Sequence, residues 1–570
     1  MDLSFFKRFI ESSPTLWRFL SRIRLILNGQ PRWKPVLDKD RTRWTTYIKK
    51  AKLGPNILIA TSLGSHLAAS RLESLLAVAL TLRGASVSIL LCDSALPACQ
   101  EADVGRCPNR KHFIRYGPRR DLCIGCFSPA YKMYRSLGIN VFRYSEFITA
   151  DELANVHNIS STLPLEDIQN YRLDGLSIGE HALAGALRFL ARGTLDNEPY
   201  AESILRQYLK AALITVYVMQ HLLEKSHFEH AVFHHGIYVP QGLIREVCHH
   251  SGVRVVNWDP AYRKNCFIFG HGDNSFRTIM TEPVEKWINI QWGSGLETEL
   301  MRYLKSRSYG TQDWICVHHK TSKEDLNTIA AKIGVDFSKP CIGMLTNVMW
   351  DAQIYYQNNI FKNMLEWALE TIEYFAKRPE LQLLVRVHPA EILGIMTSKQ
   401  LFIEEIKKVF PVLPKNVFII PPESPISTYA AMLPCNAVII YSTTAGMELA
   451  ALGIPIIVGG GTWFRNKGIG MAADSKKDYF RLLNRLPLKH RLKNDLIEQA
   501  RKYTFHLFFR RTIPIKFAKE SVFHSFVQTP YVINVQNISE LLPGQDKGLD
   551  IICDGILYGK DFIYPAELYI

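Results

Sequence analysis

Residues 381–391, LQLLVRVHPAE, and 436–461, NAVIIYSTTAGMELAALGIPIIVGGG, each begin as an apolar strand and end in polar residue types. In the second, Ser442, Thr443 and Thr444 precede a helical run, and a third apolar strand follows. Strand, loop, helix and strand in that order place a loop and a helix start at the carboxyl edge of a parallel sheet. Free amide N–H groups and the helix dipole make such an edge a site for negative charge, so a phosphate is expected here. Arg386 and His388 stand two residues apart at the end of the first strand. The strand period of two puts them on one face, and Pro389 stops the ladder. A cation and an imidazole presented together suit a phosphate. Gly446 is read as letting a ligand approach the backbone. Glu448, in the first helical turn, would repel a phosphate placed close to it and is better aimed at a ribose hydroxyl. Gly459, Gly460 and Gly461 offer a further approach surface. The competing reading is an ordinary capped helix between two core strands.

Working outward, 570 residues are too many for one ordinary core, so two large domains or three smaller ones are expected. With 47% hydrophobic and 21% charged residues, the composition is that of a globular protein. Residues 1–50 hold 12 Lys and Arg against 4 Asp and Glu, so +8 of the net +15 sits there. That argues for a local basic arm and against a general nucleic-acid binder. Within residues 1–30, clusters such as Phe5, Phe6 and Trp17 alternate with Lys7, Arg8 and Arg18. They read either as a helix packed on the domain or as an interfacial helix on anionic lipid. Residues 31–50 read as a linker. No signal peptide and no spanning apolar run is recognisable, so a cytoplasmic chain is expected, with a peripheral place on the inner membrane if the arm is interfacial. Its eleven cysteines are then thiols or ligands rather than disulfides.

The expected organisation is an arm at 1–50, a first Rossmann-like domain at 51–339, a second at 340–500 and a tail at 501–570 covering their junction. In the first domain, NILIATSLG and ASVSILLCD are strands flanking a helix. The turn between strand and helix carries His66, read as a catalytic group or as a solvated neighbour of the helix cap. An insert at 92–126 carries Cys92, Cys99, Cys107, Cys123 and Cys126. Four sulfurs from these five would make a structural zinc or iron–sulfur site, with CIGC as a tight-turn knuckle. Unligated loop thiols are the alternative. Further on, His234, His235 and Gly236 end one strand and Asp259 ends the next. Neighbouring strand residues face opposite ways, so one histidine of the pair, taken as His235, is expected at the cleft as base or substrate contact. In the second domain, the strand CIGMLT leads to Asn347 and Asp351.

FHHGIYVPQG, TNVMWDAQ, VRVHPAE and YSTTAGMELAALGIPIIVGG together resemble bacterial capsule and surface polysaccharide biosynthesis proteins of GT-B glycosyltransferase architecture. That resemblance implies two Rossmann-like domains facing across a cleft, the second holding a nucleotide-sugar donor and the first a glycan or lipid-linked acceptor. It implies no metal for transfer. The HP dipeptide and the hydroxyl-rich segment are similar to the donor-phosphate motifs of CMP-sugar transferases, placing His388, Ser442 and Thr443 at the phosphate. The same segment resembles the ribose region of UDP-N-acetylglucosamine 2-epimerases, with Glu448 at the ribose. His66, His235 and Asp259 are the candidates for deprotonating the acceptor. Three functions follow: a glycosyltransferase, an epimerase-like enzyme, or a non-catalytic scaffold of a capsule assembly complex.

Overall fold

The computed structural model describes residues 29–314, 325–351, 359–394, 396–520 and 531–570. The helix expected within residues 1–30, packed or interfacial, falls outside the described residues except for positions 29 and 30. Residues 31–50, expected as a linker, instead form helices Trp33–Asp38 and Arg41–Ala51. Their apolar residues decide this: Trp33, Leu37 and Trp44 are buried, and the Trp44 indole N–H donates to Leu137 O at 3.0 Å.

The first sheet begins with β1 (Asn56–Ser62), whose residues after Asn56 are all buried. The helix α1 (Leu67–Leu82) follows, then β2 (Ser86–Leu91) and β3 (Asn140–Arg143). Helix α2 (Arg120–Ser136) lies within the connection from β2 to β3. After the long helices Ile178–Leu190 and Ala201–Lys225 come β4 (His230–His234), β5 (Arg254–Pro260) and β6 (Cys266–His271). Strands β3, β2, β1, β4 and β5 lie side by side and parallel, and β6 adds antiparallel to β5.

The second sheet repeats the plan with β7 (Cys341–Leu345), β8 (Gln382–Arg386), β9 (Val417–Ile420), β10 (Ala437–Ile440), β11 (Ile456–Val458) and β12 (Met471–Ala472). Its order is β9-β8-β7-β10-β11-β12, parallel throughout. Each half is therefore a doubly wound α/β unit whose strand order reverses between its first and fourth strands. In such sheets ligands bind outside the carboxyl ends of the strands at that reversal.

The chain returns to its first half at the end. Strand β13 (Ile513–Pro514) pairs antiparallel with β6, and the helix Lys547–Tyr558 joins the core that contains α1. This part of the tail completes the first unit, while Leu507, Phe508, Phe509 and Ala566 enter the apolar cluster that both halves share. Helix α1 is apolar nearly all round, as a helix buried on every side must be. Every one of its residues from Ala68 to Leu82 is buried, with the tail over its outer face. Each fully buried leucine there contributes about 1.5–3 kcal/mol. A third apolar cluster joins Ile268 and Trp287 of the first half to Leu345 and Ile440 of the second and Phe505 of the tail, so the halves share a core. Among the described residues no helix is long and apolar enough to cross a membrane.

Candidate active site

At the first reversal, β1 runs into the Gly64–His66 turn while β4 ends at His234. The strand does not continue through His235. His235 takes φ +69° and Gly236 φ +73°, so the backbone turns in the left-handed region. This removes the alternation that would have sent the two imidazoles to opposite faces. His66 and His234 have ring centroids 4.5 Å apart, and His234 and His235 5.2 Å apart. The expectation that one histidine of the pair faces the site gives way to a cluster of three.

Two carboxylates orient this cluster. His66 Nδ1 lies 3.1 Å from Glu101 Oε1, while its Nε2 is buried with no hydrogen-bond partner among the described residues. Burial works against an ionised Glu101, but Arg106 and His66 together hold its carboxyl well below the usual range. An imidazole fixed through one nitrogen by an ionised carboxylate, with the other nitrogen left without a hydrogen bond, is the arrangement of a general base. His234 Nε2 lies 3.3 Å from Asp259 Oδ1. Burial pushes His234 well below the ordinary histidine value and His235 down to about 4, so both imidazoles are neutral near pH 7. Beneath them, Thr61 Oγ1 accepts the His234 amide at 2.8 Å, and its hydroxyl donates to Glu73. Glu73 also accepts the Trp258 indole N–H at 3.1 Å.

At the second reversal, Asn347 follows β7 and Ser442–Thr444 follow β10. The Asn347 side-chain amide donates to Ser442 O at 2.7 Å, tying the two strand ends together. The helix α3 (Ala445–Ala451) starts at Thr444, whose side chain makes no cap hydrogen bond. His388 Nδ1 accepts the Ala390 amide at 3.0 Å, so a neutral His388 carries its ring proton on Nε2 as a donor. Its backbone amide donates to Thr346 Oγ1 at 3.0 Å, setting it beside the end of β7.

The structure departs from expectation at three donor-side residues. Arg386 does not display its guanidinium beside His388. It is buried and donates to Pro421 O and, at 3.1 Å, to Ser424 O, bracing the loop after β9. Burial lowers its pKa to about 10. Gly446 does not face a ligand. A Cβ there would stand 2.6 Å from Ile440 Cδ1 and 2.7 Å from Phe464 Cζ, so its smallness serves packing of α3 on the sheet. Gly459 and Gly460 likewise abut Trp367 and Tyr441. Glu448 is fully buried; Oε2 accepts from Arg307 Nε at 2.9 Å and from the Tyr429 hydroxyl. Arg307 in turn donates to Asp313 at 2.6 Å.

The two edges face each other. The Tyr238 hydroxyl, beyond β4, donates to Asp351 Oδ1, beyond β7, at 3.0 Å. Asp351 and Asp259 are close enough to repel, and burial raises the Asp351 carboxyl. Nearby, Gln400 Oε1 accepts the Gly193 and Thr194 amides at 2.9 and 3.1 Å. Of the predicted site residues, His66, His235 and Asp259 therefore meet at one edge, and Asn347, His388 and Ser442–Thr444 at the other. Glu101, Arg307 and Tyr238 escaped the sequence reading, and Arg106, read there as a contact for an anion, instead pairs with Glu101. Glu101 reaches His66 from 35 residues away, and no local pattern marks it.

The cysteine insert also differs in form. The tight turn expected at Cys123–Cys126 is part of the continuous helix α2. Buried Ala130, Met133 and Tyr134 hold that helix down, and Asp121 favours its first turn. Burial pushes the Cys92 thiol up to about 12 and Cys123 up to about 11.

These features define a class: a two-unit α/β protein with paired doubly wound sheets whose strand-reversal edges are opposed. No family model and no curated protein matches the sequence. Among solved structures, the chain is similar to the KpsC beta Kdo 2,4 transferase of Thermosulfurimonas dismutans at 11% identity, covering 48% of this chain and 79% of that one, with a TM-score of 0.31. The KpsC beta Kdo 2,7 transferase of the same organism gives 13% identity, 57% and 88% coverage, and a TM-score of 0.30. UDP-GlcNAc 2-epimerase from Neisseria meningitidis gives 8%, 79% and 94%, and 0.24. Identities and scores this low assign no activity to this chain.

Proposed function

We propose that this chain is a glycosyltransferase of capsule or surface polysaccharide synthesis, moving a sugar from a nucleotide-sugar donor to a hydroxyl of a glycan or lipid-linked acceptor. The observation that carries the reading is the opposition of two unlike edges: a carboxylate-oriented imidazole at one, and hydroxyls with an imidazole donor at the other. In this reading His66 Nε2 takes the proton of the acceptor hydroxyl while Glu101 holds the ring. The acceptor oxygen bonds to the anomeric carbon of the sugar as the bond from that carbon to the phosphate oxygen breaks. The electron pair leaves on the phosphate, which His388 and the Ser442–Thr444 segment stabilise. The neutral His234 and His235 line the acceptor side. A lipid-linked acceptor would bring the chain to an anionic membrane surface, where the basic residues of 1–50 belong.

The test is His66→Ala, assayed by acceptor-dependent nucleotide release over a panel of CMP-, UDP-, GDP-, CDP- and TDP-sugars. The expected loss in turnover is about 10²–10⁴-fold, while stabilisation of the fold by the responsive nucleotide is unchanged. Turnover at the wild-type rate would remove His66 from the chemistry. Epimerised sugar formed from donor alone would replace transfer with the epimerase reading.

A further inference from the structure

We propose that Cys92, Cys99, Cys123 and Cys126 ligate an iron–sulfur cluster set against the turn that carries His66. Four elements converge there. Cys92 directly follows β2, and its amide donates to Ser62 O at 2.9 Å. Cys99 lies in the following loop, where its carbonyl accepts the Tyr208 hydroxyl at 3.0 Å. Cys123 and Cys126 stand three residues apart on α2 and so share one face of that helix. The turn after β1 draws them together: the Ser62 carbonyl holds the Cys92 amide, the Ser65 amide holds Cys126 Sγ, and the Ser65 hydroxyl donates to Glu101, two residues after Cys99, at 3.1 Å. Cys107 is set apart. It is 5% exposed and packs in the first unit's core cluster with Phe113.

The surroundings suit anionic sulfur. The Ser65 amide donates to Cys126 Sγ at 3.2 Å. Backbone amides of Ser94 and Leu96 serve Cys92, and the Ser94 hydroxyl serves Cys123. Donors of this kind around sulfur tune thiolate-bound clusters. They are not required by buried neutral thiols, which are weak acceptors.

Spacing selects the occupant. A tetrahedral zinc with Zn–S of about 2.3 Å draws its sulfurs to about 3.8 Å from one another. Among the described residues no three His, Cys, Asp or Glu side chains converge on a single ion. Four neighbouring thiols too widely set for one ion match a cluster of several irons and sulfides, which four cysteines hold.

The placement gives the cluster a task. A Cβ on Gly64 would stand 2.2 Å from Cys126 O, so α2 and the turn are in direct contact. The amide bound to Cys126 Sγ belongs to the residue before His66. The cluster would therefore position His66 and Glu101 without touching substrate. This consequence rests on the transferase reading above; the metal content does not.

The experiment is analysis of the full chain purified without oxygen. Iron and acid-labile sulfide in equal amounts are expected, with the broad visible absorption of thiolate-to-iron charge transfer. Cys99→Ala and Cys126→Ala should lose most of both, and Cys107→Ala should keep them. Stoichiometric zinc without sulfide, absence of metal, or equal loss in Cys107→Ala would overturn the assignment. Should the ligand variants be insoluble, alkylation of the wild type decides. Cys92, Cys99, Cys123 and Cys126 should become reactive only after iron is stripped, and equal reactivity before and after stripping would refute the cluster.

Discussion

Glu73 gives the sharpest quantitative test, because its carboxyl sits beneath the histidine cluster with two neutral donors and no cation. It is 3% exposed on α1 and accepts from the Thr61 hydroxyl and the Trp258 indole. Burial raises its pKa from the ordinary 4.5 to about 8, against the lowering effect of those two hydrogen bonds. A raised value means the folded state holds the proton more tightly than the unfolded chain. Stability is then full below about pH 4.5 and is lost as pH rises through about 8. The gap is worth on the order of 4–5 kcal/mol once ionisation is complete, and about 3 kcal/mol of it is felt at pH 7. Glu73→Gln keeps the shape and an acceptor oxygen for both donors but cannot ionise. Denaturant unfolding of wild type and variant, compared from about pH 5 to about pH 8, should show the variant gaining on the wild type by about 3 kcal/mol between those limits. The comparison cancels every other titrating group. A difference that stays flat across this range would mean that Glu73 is not held protonated, and the account of the Thr61–Glu73–Trp258 support would fail with it.

Gly446→Ala separates packing from ligand approach. An overpacking cost of about 1–3 kcal/mol set against a helix-propensity gain of about 1 leaves a modest loss of stability. Nucleotide-induced stabilisation should be unchanged, whereas lost binding at unchanged stability would restore the ligand-approach reading. Arg307→Ala should cost about 3–5 kcal/mol, since it leaves Glu448 and Asp313 buried without their cation. A thermal midpoint equal to wild type would show that this network carries no load.

Much of the fold was legible because its signals are local. Apolar runs bounded by glycine and proline marked β1, β2, β4, β5, β7, β8 and β10 close to their observed limits, and the alternation with helices announced parallel sheets. The same local reading failed where the backbone left the assumed period. His235 turns into the left-handed region, so the alternation argument no longer applied to it. Arg386 shares a strand end with His388, yet the loop after β9 offered carbonyls that captured its guanidinium.

The sequence by itself determined two strand–helix repeats, a loop of hydroxyls at one edge and histidines at another, and a cysteine-rich insert, because each of these depends on residues a few positions apart. Only the tertiary structure decided which groups meet. Glu101 reaches His66 across 35 residues, Asp351 reaches Tyr238 across 113, and Glu448 reaches Arg307 across 141. Contacts of that span are set by sheet order and by which side chains remain unsatisfied once the core has closed. Neither quantity is written in any local window of the chain.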